Sequence, residues 1–346
     1  MLVRAVHDTT LSARVVRRVA MRYAEGADPT LDRPAYVRAA SGLAWFGSEL
    51  AVIQDDANFV ALVDPVTGLA RSIALPAGPA GRRLFDDSRG NKAEKSDHEA
   101  LVAVADAADV LLVALGSGST PRRETIALIE GPGASHGVAR AVAAPRFYAG
   151  LRATTLFAGS ELNVEGVIYL DGRLRLFGRG NGAVTGSTRP VNATCDVDWA
   201  RLRAHLEEEA LMPPVPTSVV QYDLGSLDGI GLSFTDAAIG RAESPASHTV
   251  FYTAAAEASP DVTRDGVVAG SAIGVIEAID GTLTARWTEL RDADGGRFAL
   301  KAEGIALAST TGRIFVVADD DAHDRPSELL EVEIGEPCPR RVCQVP

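Results

Sequence analysis

The sequence predicts an all-β propeller, and three observations carry that prediction. A short block returns five times along the 346 residues: an acidic or hydroxyl residue, then small and aliphatic residues, then a second apolar run ending in a polar turn. Further strand-like runs follow each block in the same order. The fifth repeat runs out of chain one strand early, while a spare strand-like segment stands near the N-terminus. Joining the two closes a ring and removes the exposed sheet edges of an open array.

The five openings are Ser41-Gly42-Leu43-Ala44-Trp45, Glu99-Ala100-Leu101-Val102-Ala103, Glu165-Gly166-Val167-Ile168-Tyr169, Asp228-Gly229-Ile230-Gly231-Leu232 and Glu303-Gly304-Ile305-Ala306-Leu307. A second strand follows each opening, at 50–53, 111–114, 174–177, 251–254 and 315–318. These runs are short, rich in β-branched and aromatic residues, and bounded by Gly, Asp and Ser. Third strands are expected at 59–64, 125–130, 191–197, 272–279 and 328–334. Fourth strands are expected at 69–74 and 138–143, and the similar segment 16–20 supplies the spare one. The resulting domain covers 1–346, with 12–24 as the closing outer strand and 335–346 as a C-terminal tail. Five blades fit best. Repeats of 58 to 75 residues exceed the roughly 40–50 of compact blades, so a sixth blade stays open, with 146–157 as its place. One helix is expected as an insertion in the third repeat. Asp196 or Asp198 caps it, Trp199, Leu202, Leu206 and Leu211 form its apolar face, and Pro213 and Pro214 stop it.

Composition narrows the function classes. A net charge of −12 argues against binding nucleic acid or anionic membrane, and suits a soluble protein that captures cations. There is no uninterrupted run of about 18 apolar residues. The first ten residues hold no apolar core of signal-peptide length, so a cytoplasmic location is expected. Three cysteines, Cys195, Cys338 and Cys343, make no disulfide framework, although Cys338 and Cys343 are close enough to pair.

The candidate site is the axis. If the openings start the innermost strands, Ser41, Glu99, Glu165, Asp228 and Glu303 point into the central channel. Period-two alternation adds Ala39, Asp97, Asn163, Ser226 and Lys301 to the same face. Several carboxylates so close cannot all stay ionised without compensation. Protons, ordered water, Lys95 and Lys301, or a cation can supply it. Oxygen-only ligands favour Ca²⁺, with Mg²⁺ as the other choice. A metal would then be held by Glu99, Asn163, Glu165, Asp228 and Glu303. Asp97 or Glu99 is positioned to take a proton. Turns after the second strands form another candidate set, at Asp55-Asp56, Gly116-Ser117, Arg179-Gly180, Ala256-Glu257 and Asp320-Asp321. The loops 116–123 and 178–182 join free backbone amides to guanidinium groups. Arg122, Arg179, Lys301 and Arg325 are the expected contacts to an anionic part of a substrate. His323 lies in an acidic loop that lacks the glycine and distal glutamate of an EF-hand.

The blocks Lys301-Ala302-Glu303-Gly304-Ile305-Ala306-Leu307, Gly312-Arg313-Ile314-Phe315-Val316-Val317-Ala318-Asp319-Asp320 and Asn163-Val164-Glu165-Gly166-Val167 resemble repeats of bacterial phytase-like or esterase-like propellers, and of the lactonase and senescence-marker propellers. The resemblance implies a propeller whose axial metal is held by carboxylates and an asparagine, which maps onto Glu99, Asn163, Glu165 and Glu303. At Ser41 the chain departs from it, which counts against a lactonase. Two functions follow as expectations. One is a metal-dependent hydrolase of a small ester, lactone or phosphoester. The other is a non-catalytic propeller that binds a small ligand or a protein partner.

Overall fold

A computed structural model describes residues 1–106, 109–131, 138–244, 246–264, 266–310, 312–320 and 322–335. His136, Cys338, Cys343 and nearly all of the expected 335–346 tail lie outside the described residues. The N-terminal stretch gives β1 (Leu2–Arg4), β2 (Val6–His7), β3 (Ser12–Ala20) and β4 (Arg22–Tyr23). The first repeat gives β5 (Ala40–Phe46), β6 (Glu49–Gln54), β7 (Phe59–Val63) and β8 (Leu69–Ala74). The second gives β9 (His98–Asp106), β10 (Asp109–Gly116), β11 (Thr125–Glu130) and β12 (Val138–Ala143). Helices α1 (Pro145–Ala153) and α2 (Thr155–Ala158) precede the third repeat. That repeat holds β13 (Val164–Leu170), β14 (Arg173–Gly178), β15 (Asn192–Asp198), α3 (Trp199–Glu207) and β16 (Thr217–Asp223). After β17 (Ser226–Leu227) come β18 (Ile230–Ser244), β19 (Ser247–Glu257), β20 (Val268–Ile279) and β21 (Thr282–Arg291). The chain then gives β22 (Lys301–Leu307), β23 (Arg313–Asp319) and β24 (Glu328–Gly335).

Within each repeat, consecutive strands pair antiparallel, so each sheet is a meander. The fourth and fifth groups join into one path, because β3 pairs antiparallel with β24 along Ser12–Ala20 and parallel with β21 at Ala13 and Arg14. The opening strands pack in cyclic order, β5 on β9, β9 on β13, β13 on β18, β18 on β22 and β22 on β5. The fold is therefore mostly β and propeller-like.

Period two explains why the strands are apolar throughout. Leu50 and Val52 enter a core shared with Phe315 and Val317, whereas Ala51 and Ile53 enter one shared with Leu112 and Ala114. Both faces of each sheet are covered, so the strands read as continuous hydrophobic runs. Three more such clusters fill the remaining gaps between neighbouring sheets.

Two expectations are corrected. Residues 146–157 are helical. Pro145 occupies the first turn, and Phe147, Tyr148 and Leu151 form a buried face at helical spacing, with the Tyr148 hydroxyl donating to Gly116 O at 2.8 Å. Among the described residues there are thus three α-helices instead of one. In the expected one, α3, Asp198 Oδ1 accepts from Arg201 N at 2.8 Å, and the helix ends at Glu207, before Leu211.

The second correction is the fourth opening. Asp228 and Gly229 have φ values of 51° and 81° and connect β17 to β18 as a two-residue hairpin turn. Two positive φ values in an Asp-Gly pair mark a type I′ turn. The true counterpart lies seven residues on, at Thr235-Asp236-Ala237. Ala237 stands with Leu43, Leu101, Val167 and Ile305 around the far end of the axis.

Candidate functional site

At the start of β5, β13 and β22, between Phe234 and Asp236 within β18, and where β9 meets the end of β10, the ladder register slips. Such a bulge re-aims a side chain and bends the strand. Ser41, Glu99, Glu165 and Glu303 consequently line one axial cavity of about 200 Å³. The glycine after the acid has a steric cause. A Cβ on Gly42 would lie 2.6 Å from Glu99 O, and one on Gly304 would lie 2.2 Å from Ser41 O. In the fourth unit Thr235 turns away and donates to Ala302 O at 2.7 Å. Asp236 takes the glycine position, wholly buried, and its Oδ2 accepts from Ile305 N at 3.0 Å.

The ends of the second strands complete the ring. Backbone bonds from Asp55 N to Ala39 O, Ser117 N to Asp97 O and Arg179 N to Asn163 O set these residues beside the openings. Lys95 Nζ lies 2.6 Å from both Asp55 Oδ2 and Asp97 Oδ1, and Arg123 Nη1 lies 2.9 Å from Asp97 Oδ2. Ser41 Oγ donates to Glu99 Oε2 at 2.6 Å, and Asn163 Nδ2 donates to Glu165 Oε1 at 2.7 Å. Arg179 bridges Glu165 at 3.3 Å and Glu257 at 2.6 Å, while Lys301 Nζ sits 2.6 Å from Glu303 Oε1. The other oxygen of Glu303, Oε2, is buried and has no partner among the described residues.

Charge is unevenly shared. Among the described residues ten carboxylates and seven Lys and Arg side chains line the cavity, so acids outnumber cations there. Burial, reinforced by Glu165 and Asp97, drives the Glu99 carboxyl well above its ordinary range. Glu303 rises to about 8, first through burial and then through Glu165, against the pull of Lys301. Burial also acts to raise Asp97, but Lys95 and Arg123 outweigh it and hold that carboxyl low. At the rim, burial and then Asp55 push Asp56 up to about 7, although Arg38 is ion-paired with it.

Of the residues expected from sequence, Asp97, Glu99, Asn163, Glu165, Glu303, Arg179 and Lys301 line the cavity. Three do not. Asp228 is exposed on its turn and paired with Arg297. Arg122 is exposed in a short turn of helix, and its neighbour Arg123 is the buried one. Arg325 lies on the surface, 2.9 Å from Asp320. Lys95, expected as an internal counter-charge, Asp55 and Glu257, expected in the turns after the second strands, and Arg123 of the expected loop 116–123 line the cavity as well. Asp55 and Glu257 were legible as second-strand ends. Asp55, Asp97 and Glu99 bring ligand oxygens within 4.8 Å of one another, the tightest oxygen set for a cation here.

Residues 36–334, which span all five repeats, match a family of unknown function (DUF6929). The chain belongs to that family. No curated protein matches this DUF6929 chain. Among solved structures it is similar to the glutaminyl cyclase of Myxococcus xanthus, with 13% identity, a TM-score of 0.45, and 98% of this chain and 100% of that chain covered. It is similar also to the Malassezia sympodialis allergen Mala s 1, with 9% identity, a TM-score of 0.46, and 85% and 93% covered. A putative exported protein of Bacteroides fragilis matches at 9% identity and a TM-score of 0.37, with 97% and 100% covered. Likeness this distant speaks to no activity.

Proposed function

We propose that this DUF6929 chain is a five-bladed propeller, closed by β3, that binds a small cationic ligand in its axial cavity. The cyclic packing of the opening strands supports the ring. One observation carries the ligand: the Glu303 side chain lines the cavity, and while Lys301 pairs with its Oε1, its buried Oε2 has no hydrogen-bond partner among the described residues, in a cavity where acids outnumber cations. A buried carboxylate oxygen left unpaired is costly, and a ligand ammonium removes that cost. Lys95, between Asp55 and Asp97, and Lys301, beside Glu303 and Glu257, are ammonium groups already seated among these acids, which favours a ligand amine over a metal centre.

Binding a cation favours the ionised forms of Glu303 and Glu99, so it releases protons. Affinity for a primary amine such as glucosamine should therefore strengthen as pH climbs toward about 8, where Glu303 titrates. Isothermal titration in buffers of different ionisation enthalpy reads both quantities. Glu303→Gln should abolish most of the binding and its pH dependence. A wild-type protein that no organic cation stabilises against heat would overturn the proposal.

The oxygen cluster of Asp55, Asp97 and Glu99 favours a second reading, a Ca²⁺- or Mg²⁺-dependent hydrolase of the phytase-like or esterase-like kind. A divalent cation there lowers the pKa of a bound water or polarises an ester oxygen. Asp97 or Glu99 would accept the proton, and Arg179 would orient an anionic substrate group. Melting with Ca²⁺, Mg²⁺ and EDTA decides it. This reading expects a higher Tm with metal in the wild type and none in Glu99→Gln, and it fails if metal leaves the wild type unmoved.

A further inference from the structure

We infer that the ligand is an amino sugar carried on at least one further sugar unit, with its amine in the axial cavity and the next unit in a groove running outward between the third and fourth sheets. The inference rests on the axial site proposed above and goes on to name the ligand class. A groove of about 430 Å³ opens beside the cavity, and the two share Asn181, Glu257 and Ser259. A ligand in the cavity would extend toward the groove past these three residues.

The chemistry of the groove selects the tail. No Lys or Arg stands among the described residues that line it, so a phosphate or carboxylate tail finds no counter-charge. Its polar wall joins amides and hydroxyls, from Asn181, Gln221, Ser233 and Ser259, to the carboxylates of Asp223 and Glu257, between glycine backbone segments. Such groups match a chain of hydroxyls. The head is selected separately by the unpartnered Glu303 Oε2, on a side chain 8% exposed. Asn181 marks the junction, because its Oδ1 accepts from Asn163 Nδ2, which also donates to Glu165.

Gly231 offers a clean test. It lines the groove, and a Cβ built there meets nothing within 4 Å, so a large side chain fills the groove without disturbing the fold. Titration calorimetry should compare glucosamine, N-acetylglucosamine and the β-1,4-linked glucosamine dimer. The dimer should bind about tenfold more tightly than the monomer, the worth of one or two hydrogen bonds. N-acetylglucosamine, which lacks the charge, should not bind measurably. Gly231→Trp should return the dimer to the monomer's affinity and leave glucosamine unchanged, while Glu303→Gln should weaken both. A dimer no tighter than the monomer, or a Gly231→Trp variant that binds the dimer normally, overturns the groove while leaving the axial site standing. Failure of both amines to bind overturns the two together.

Discussion

Asp236 reaches the backbone of two other sheets: its Oδ2 accepts from Ile305 N at 3.0 Å and from Leu43 N at 3.4 Å. Its Oδ1, facing Gly166, is buried with no partner among the described residues. An ionised carboxylate in that place has no cation beside it, and burial pushes the group well above its ordinary 3.8. The side chain therefore acts as a neutral acceptor that ties three opening strands together. Asp236→Asn keeps an acceptor and should fold with near wild-type stability. Asp236→Ala orphans two buried N–H groups, at about 1–3 kcal/mol each, and should lower the urea midpoint clearly. The sign with pH follows from linkage. The folded state holds its proton above the pH at which the unfolded chain releases it, so stability is full below about 4 and falls as pH rises. Wild type should lose stability against Asp236→Asn across that rise. Parallel curves for the two proteins would mean that Asp236 is ionised in the fold.

The opening strand is the element in which packing and chemistry meet. Neighbouring strands approach so closely that Gly42 and Gly304 have no room for a methyl group. Gly304→Ala should cost about 1–3 kcal/mol or more in urea unfolding, because the obstacle is the Ser41 carbonyl and not a side chain that can swing away. Gly231→Ala, in open space, should cost nothing and serves as the control. Equal losses at the two positions would remove the steric account of the repeat. That crowding is also why the repeat was readable: acid then small residue is a local signature of a contact between distant strands. The same signature misled at Asp228-Gly229, since an acid and a glycine also make a hairpin turn, and only the two positive φ values separate the cases. Thr235-Asp236 escaped notice because a buried aspartate at the glycine position breaks the pattern. The helical run 146–157 mixes aromatic residues as a strand does, and its tertiary docking through Tyr148 decided the outcome. Of the site, the axial acids were legible from period alone. Asp55 and Glu257 followed from the second-strand ends, whereas the choice of Arg123 over Arg122 depends on how the loop turns, which sequence spacing does not encode.

At the scale of the whole molecule, the strands of the fifth repeat are joined by a strand from the other end of the chain. Residues 12–20 pair with 328–335, and Leu11, Ala13 and Val15 are buried among Ile314, Val316 and Val332. Each buried Leu or Val contributes about 1.5–3 kcal/mol, and without β3 the strand β24 presents an unpaired edge beside an exposed core. Deleting residues 1–20 should therefore give an aggregating protein without a cooperative thermal transition, as read by size-exclusion chromatography and circular dichroism. Loss of twenty residues alone would not identify the cause, so connectivity must be separated from composition. Gly335 is paired with Ser12, which places the two strand ends side by side. A chain starting at Met21, with residues 12–20 attached after Gly335 through a two-residue Asn-Gly turn, rebuilds the same antiparallel pair as a hairpin. That permuted protein should regain a single transition near the wild-type Tm and keep the axial ligand affinity. If the truncated chain melts like the full one, or the permuted chain stays unfolded, β3 is not the element that closes the ring.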